Sequence, residues 1–329
     1  MKVLVTGGAG YIGSTLVRLL LERGYDVTVL DRLFFGIEPL NDVKDQIKII
    51  KDDIRWFDPN ILKEVDAVLD LAALPNDPTC ELEPEKAMDI NYRGRVRVAN
   101  LAKKKGVERY VLASTCSVYG FQPGLLSEES PVNPLTVYAK ASYMAEKDTL
   151  QLADDKFTVT ALRQATVYGL SYRMRFDLAV NGMVRALFKT GKIRIMRDGT
   201  QWRPFVHVKD TSMAFITVME ADPELVNGQV FNVGSDEQNI QIFNLAKTVA
   251  EACGQEFNYE WYGSPDRRSY RVSFKKIRDV LRFTPHYTIA DGAREVWNAL
   301  ENGIVDPDDP RTITVKWYKH LIESDSKFL

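Results

Sequence analysis

The stretch "KVLVTGGAGYIG", residues 2–13, changes character at its midpoint. Residues 2–6 have the apolar, β-branched composition of a buried strand, and three glycines follow at G-x-x-G-x-x-G spacing, Gly7, Gly10 and Gly13. A glycine pattern alone carries little weight. One that leaves an apolar strand and opens a helix marks the start of a dinucleotide-binding βαβ unit. Gly7 permits the tight turn, Gly10 lets the backbone approach a pyrophosphate, and Gly13 allows close helix–strand packing. The pyrophosphate then meets the unpaired N–H groups at the helix N-terminus.

The same alternation continues downstream. "DVTVLD" (26–31), "DAVLDLA" (66–72), "RYVLAS" (109–114) and "FTVTALR" (157–163) read as strands. Helical patterns fill 12–23 and the stretches around 85–105 and 137–153. Strands separated by helices predict a parallel sheet covered on both faces, an α/β fold of the Rossmann-type doubly wound kind. After about residue 170 the pattern loosens, with "KIRIM", "PFVHV" and "QVFNVG" as short strands among helices near 177–190, 209–220, 240–253 and 289–302. The expected organisation is an NAD-binding Rossmann domain over 1–170 and a smaller C-terminal α/β substrate lobe over 171–329, with the chain able to cross between them.

The bulk composition narrows the function classes. With 329 residues, 45% hydrophobic and 27% charged, the chain is long enough for a large buried core. A net charge of −2 without blocks of like charge gives no footprint for nucleic acid or an anionic membrane. No apolar run approaches the roughly 20 residues of a membrane span, and the N-terminal run is too short for a signal peptide. Three separated cysteines, Cys80, Cys116 and Cys253, argue against a disulfide framework and for the cytoplasm. The three histidines are scattered, so no metal site is expected.

Asp31 ends the second strand about 20 residues after the glycines, where a carboxylate holds an adenine-ribose hydroxyl and repels the extra phosphate of NADP. NAD is therefore the expected cofactor, with Arg32 next door pulling the other way and a simple capping role for Asp31 as the alternative.

The glycine spacing, "DDIRW" (52–56), "LAAL" (71–74), Asn91 in "INYRG", "STCSVYG" (114–120) and "NPLTVYAKAS" (133–142) occur in one order. Together with "LRQATVYG" (162–169), "DGTQWRPFVHVKD" (198–210) and "FNVGS" (231–235), the chain resembles the extended short-chain dehydrogenase/reductases, in particular the nucleotide-sugar epimerases and dehydratases. The resemblance implies a cofactor site built from Gly7, Gly10, Tyr11, Ile12, Gly13 and Asp31. It adds Asp53 and Ile54 beside the adenine, Leu71, Ala72 and Ala73 along the diphosphate, and Asn91 near the nicotinamide side. It implies Thr115 and Tyr138 as the catalytic pair, with Thr115 also touching substrate. Asn181, Arg203 and Arg267 or Arg268 would bind the nucleotide-sugar diphosphate, a task that suits the planar fork of an arginine. It also implies a homodimer.

One part of the pattern is displaced. The family places a lysine one helical turn after its tyrosine, but Tyr138 is followed at that distance by Ser142. A residue at i+4 lies about 40° from Tyr138 around the helix, whereas Lys140 and Lys147 lie roughly 200° and 180° away. A literal Tyr-x-x-x-Lys, Tyr143 to Lys147, sits about 140° round the same helix. Only one face can meet the cofactor, so Tyr138 is expected to do the chemistry, Tyr143 to pack and Lys147 to be solvated. The Tyr143–Lys147 pair stands as the alternative.

The resemblance implies transient oxidation of a sugar hydroxyl. The residues after Thr115 are Cys116 and Ser117, where dehydratases of the family carry an acidic pair and decarboxylases a Glu. Epimerisation is the expected outcome, with dehydration or decarboxylation as alternatives. The displaced lysine also leaves a non-catalytic or weakly catalytic NAD and nucleotide-sugar binder open. Which nucleotide and which sugar are bound is not encoded in any of these motifs.

Overall fold

A computed structural model describes residues 1–264 and 268–324. Seven strands form the central sheet: β1 (Lys2–Thr6), β2 (Asp26–Asp31), β3 (Lys48–Lys51), β4 (Ala67–Asp70), β5 (Arg109–Thr115), β6 (Thr158–Gln164) and β7 (Gln229–Val233). Their spatial order is β7-β6-β5-β4-β1-β2-β3, and every neighbouring pair is parallel. The order reverses between β1 and β4, and the crevice at that switch point is where open α/β sheets bind ligands.

Helices cover both faces. On one side α1 (Tyr11–Glu22) packs against Val208–Glu220, and on the other α2 (Arg95–Lys104) packs against α3 (Val137–Leu150). Each layer encloses its own apolar core, one around Leu16, Val29 and Phe215 and one around Leu4, Val68 and Phe157. Strands so enclosed are apolar on both sides, as in β4 with all four residues buried. A third core holds Tyr168, Phe205, Val249 and Val296 and belongs to the elements beyond β6, including α4 (Ala179–Thr190). The chain crosses back between the two regions, because Val208–Glu220 and β7 complete the central sheet after α4 has been laid down.

The stretch 85–105, expected as one helix, divides at a widened i→i+5 turn over Asp89–Gly94. Gly94 explains part of this: a Cβ there would sit 3.0 Å from Ile54 Cδ1, so the glycine lets the turn close on the loop after β3.

α3 is fastened to the sheet by a buried polar cluster. Glu146 accepts from Ser114 Oγ on β5 (2.7 Å) and forms a forked pair with Arg163 on β6 (Nη2–Oε1 2.6 Å, Nε–Oε2 3.0 Å). Both side chains of the pair are about 95% buried, at 5% and 3% exposure. Removing one partner strands a buried charge. Glu146→Ala is expected to cost about 3–5 kcal/mol, read by urea unfolding, and to loosen the helix that carries Tyr138.

Candidate active site

The glycines do steric work at the switch point. Gly7 has φ +71°, and a Cβ there would lie 2.9 Å from the backbone nitrogen of Ala72. A Cβ on Gly13 would lie 2.2 Å from the carbonyl oxygen of Gly7. The turn therefore closes only on hydrogen. Gly10 caps α1 with extended backbone, no side chain caps the helix, and no acidic residue occupies its first turn. The first N–H groups point into a cleft lined by Gly7, Gly10, Tyr11, Ile12 and Gly13. That cradle is positive and shaped for a pyrophosphate.

Asp31, at the end of β2, lines the same cleft and accepts from Ala9 N (2.9 Å) and Leu33 N (2.7 Å). Burial raises its pKa, and the two N–H donors and Arg173 oppose that rise. A carboxylate offers about four acceptor positions, so two N–H bonds leave room for ribose hydroxyls. Arg32 beside it is drawn to Asp53 (3.4 Å). Asp53, Ile54, Leu71, Ala72 and Ala73 continue the wall of this arm. The cradle, the carboxylate and the apolar wall together fit a dinucleotide.

At the carboxyl end of β5 the cleft reaches Thr115 and Tyr138. Both line the cleft, and Thr115 Oγ1 accepts from Ser117 N (3.1 Å). Burial pushes the Tyr138 hydroxyl up to about 12, with neighbouring Thr115 and the Arg95 charge working against it. Tyr138 sits in the first turn of α3, whose N-cap Thr136 accepts from Ala139 N. Ser142, one turn on, is buried at 2% exposure. Tyr143 instead packs among the residues of the first core, and Lys140 and Lys147 are exposed.

The remaining expected residues lie behind the cleft wall. Asn91 is fully buried; its side chain accepts from Leu74 N (2.7 Å) and donates to Leu74 O (2.9 Å), fixing the loop after β4. Asn181 is also fully buried. It accepts from Gly169 N (3.0 Å) and donates to Tyr11 Oη (3.0 Å) and Arg175 O (3.0 Å), bracing the turn that faces α1. Arg203 donates to the carbonyls of Trp202 and Arg268 and lies over the ring of Tyr270, which lines the cleft. Arg268 pairs with Asp77, another lining residue. Arg267 lies outside the described residues.

Several lining residues escape the motif argument. Gln164, the register neighbour of Thr115 on β6, lines the cleft with Thr166 and Tyr270, and so do Arg95, Arg173, Arg175 and Tyr318. Arg173 stacks on Phe35, 3.5 Å from its centroid, and its burial lowers its pKa to about 9. Arg175 forms a fork with Asp177 (3.1 and 2.8 Å). Two arginines two residues apart in "YRMRFD" are a signal, but nothing in the sequence says they face inward. The helix Thr314–Ser324 brings Tyr318 edge-on against Phe34 and Phe35 (5.7 and 5.4 Å), and Trp317 Nε1 donates to Phe34 O (2.7 Å).

A parallel doubly wound sheet whose switch-point cleft joins a glycine cradle to a Thr–Tyr pair defines an enzyme of the short-chain dehydrogenase/reductase kind. The chain belongs to the NAD dependent epimerase/dehydratase family, whose model matches residues 3–234. It is 32% identical over 325 residues to a UDP-glucose 4-epimerase of Lactobacillus helveticus, covering 90% of this chain and 96% of that one. A UDP-N-acetyl-alpha-D-glucosaminuronate decarboxylase of Bacillus cytotoxicus is 27% identical, covering 89% and 96%. Among solved structures, MoeE5 in complex with UDP-glucuronic acid and NAD superposes with a TM-score of 0.83 at 29% identity, covering 92% of this chain and all of that one. No helix among the described residues is long and apolar enough to cross a membrane.

Proposed function

We propose that this chain is an NAD-dependent nucleotide-sugar epimerase. The carrying observation is a single cleft that runs from Asp31 and the glycine cradle to the Thr115–Tyr138 pair. Similar proteins named as UDP-glucose 4-epimerases, and a dTDP-glucose 4,6-dehydratase of the same fold, support a nucleotide-sugar in the remaining arm.

The glycine cradle and Asp31 would hold NAD, which would supply a hydride acceptor and donor for a sugar carbon. Tyr138 receives the hydroxyl proton as the carbonyl forms, holds it on Oη, and gives it back when the carbonyl is reduced. Thr115, which lines the same cleft, hydrogen-bonds the same sugar oxygen and fixes its direction. Rotation of the keto sugar before the hydride returns inverts the carbon. Among the described residues lining the cleft, the carboxylate close to Tyr138 is Asp77, and it is held by Arg268 and by Thr136 Oγ1 (2.6 Å). An elimination needs a carboxyl able to trade protons with the sugar, so this arrangement favours epimerisation over dehydration.

Incubation with a panel of nucleotide-sugars, followed by chromatography and mass spectrometry, tests this. A product of unchanged mass and altered retention is expected; loss of water or carbon dioxide replaces epimerisation with the other family reactions. Asn181, Arg203 and Arg268 enter the proposal as supports of the substrate arm, acting through Tyr11, Tyr270 and Asp77. The cofactor preference follows from Asp31: calorimetric titration is expected to give NAD at least about tenfold tighter than NADP, the equivalent of about 1.4 kcal/mol. Equal or tighter NADP binding overturns the role given to Asp31.

The enzyme is further proposed to work as a homodimer in the cytoplasm. Met144 is a large apolar side chain exposed on α3, and Cys80, Cys116 and Cys253 are all buried free thiols that suit a reducing compartment. Light scattering at micromolar concentration is expected to return twice the chain mass.

A further inference from the structure

Resting on the reading of the cleft as an NAD site, we propose that Arg173 is the cation that pairs with the dinucleotide's diphosphate at the glycine cradle. The cradle itself offers N–H groups and a helix dipole. It offers no full charge, because the first turn of α1, Tyr11–Ser14, carries no basic residue. A cation that forks onto phosphate oxygens must come from another element.

Among the described residues, four arginines line the cleft: Arg32, Arg95, Arg173 and Arg175. Three of them have a carboxylate. Arg32 lies 3.4 Å from Asp53, Arg95 lies 3.7 Å from Asp70, and Arg175 closes its fork on Asp177. Arg173 is 6% exposed, yet it forms no ion pair among the described residues. One hydrogen bond holds its guanidinium there, from Nη2 to Thr314 Oγ1 (3.2 Å), and its buried Nε has no partner. The carboxylates whose charge bears on it are engaged elsewhere: Asp177 by Arg175 and Asn76, Asp31 by Ala9 N and Leu33 N. A buried charge without its partner is costly to fold around. The site is therefore built for an anion that the chain does not itself supply.

Two sets of contacts fix where that cation sits. Tyr11 Oη donates to Gly169 O (2.6 Å), and Ser171 Oγ donates to Tyr11 O (2.6 Å) and lies 3.2 Å from Ser14 Oγ. Arg18 covers the ring of Tyr172 at 3.3 Å. Residues 169–172 thus run along the start of α1, and Arg173 is the next residue. On its other side the guanidinium lies 3.5 Å from the centroid of Phe35, in the loop that follows Asp31 and β2. Arg173 is held between the start of α1 and that loop. A dinucleotide with its adenine ribose at Asp31 runs its diphosphate through the same interval. Stacking on Phe35 covers one face of the guanidinium and leaves its in-plane N–H groups, the ones that meet phosphate oxygens bidentately.

Two other phosphates compete for the role. The nucleotide-sugar also carries a diphosphate, but its arm is the one that Arg203 and Arg268 support through Tyr270 and Asp77. The contacts of Arg173, with Phe35 and with Thr314 at the head of the C-terminal helix, lie at the Asp31 end. The 2′-phosphate of NADP would reach that end as well, and the charge of Asp31 stands against it. The dinucleotide's own diphosphate is the anion that fits both the place and the charge.

Calorimetric titration of the full chain reads the pairing without turnover. Arg173→Met removes the charge and keeps apolar bulk on Phe35. It is expected to weaken ADP-ribose and NAD by roughly 10- to 100-fold, the range of a hydrogen bond to a charged group, and to leave adenosine and UDP unchanged. Measured without cofactor, the same variant is expected to melt no lower than the natural chain, because a buried charge without a partner is gone. An arginine that served packing alone would lower that melting temperature and leave ADP-ribose binding as it was. Should Arg173→Met fail to fold, Arg173→Lys, which keeps a cation without the fork, is titrated in its place. It is expected to weaken ADP-ribose by at least about threefold, with adenosine unchanged. Unchanged ADP-ribose affinity in the folded variant overturns the proposal. So does a loss confined to UDP, which moves Arg173 to the substrate arm, or a loss confined to NADP, which moves it to the 2′ position. A natural chain that binds neither ADP-ribose nor NAD overturns the cofactor reading itself. A natural chain and variant that bind both equally overturn the role of Arg173 alone.

Discussion

Tyr138→Phe is expected to lower turnover by roughly 10³-fold, within the range that general acid–base groups contribute, with nucleotide-sugar binding nearly intact. Tyr143→Phe is expected to stay within about twofold, as for a change remote from the chemistry. The two tyrosines differ in surroundings rather than in sequence context. Tyr138 lines the cleft together with Thr115, whereas Tyr143 packs among the residues around α1 and Val208–Glu220. Steady-state kinetics on both variants separates them. The reverse ranking would move the chemistry to Tyr143 and Lys147, and with it the whole orientation of α3.

Gly13→Ala is expected to be the most damaging single-methyl change in the cofactor arm. The added carbon would meet the Gly7 carbonyl at 2.2 Å, and backbone atoms of Gly8 and Gly7 at 2.7 and 2.9 Å, so no side-chain rotation relieves it. Either α1 or the turn must move. A stability loss of about 3 kcal/mol is expected, the upper part of the usual range for overpacking. NAD affinity should fall roughly hundredfold, the equivalent of about 2.7 kcal/mol. Thermal unfolding with and without NAD measures both. A variant of unchanged Tm that still binds NAD would show that the turn accommodates the methyl.

The sheet and the cofactor arm were legible because their rules are local. A buried strand needs apolar residues on both faces, and the turn at Gly7 tolerates no side chain, so "KVLVTGG" states both in seven letters. β3 was harder to see: "KIIK" is an edge strand bounded by lysines and resembles a loop. Asn91 and Asn181 show the limit of reading roles from motifs. Each is fully buried and spends its amide on backbone and Tyr11, a choice set by neighbours 17 and 12 residues away. Arg95 shows the opposite failure. "NYRGRVRVAN" carries three alternating arginines, and only the widened turn before α2 fixes the phase that sends the middle one inward. The contribution of residues 314–324 could not be anticipated either, because a helix from the end of the chain must cross to β2's loop before its aromatics matter.

That last helix has a consequence for how the enzyme holds its redox partner. Tyr318, wedged edge-on between Phe34 and Phe35, and Trp317, tied to the Phe34 carbonyl, form a closed aromatic flap beside Asp31. The C-terminal helix thus supplies part of the rim at the Asp31 end of the cleft. Epimerisation leaves the dinucleotide in its starting oxidation state after each cycle, and exchange with bulk solvent then serves no purpose. For the epimerase proposed above, a coenzyme held behind that rim would serve as a resident prosthetic group and not as a diffusible one.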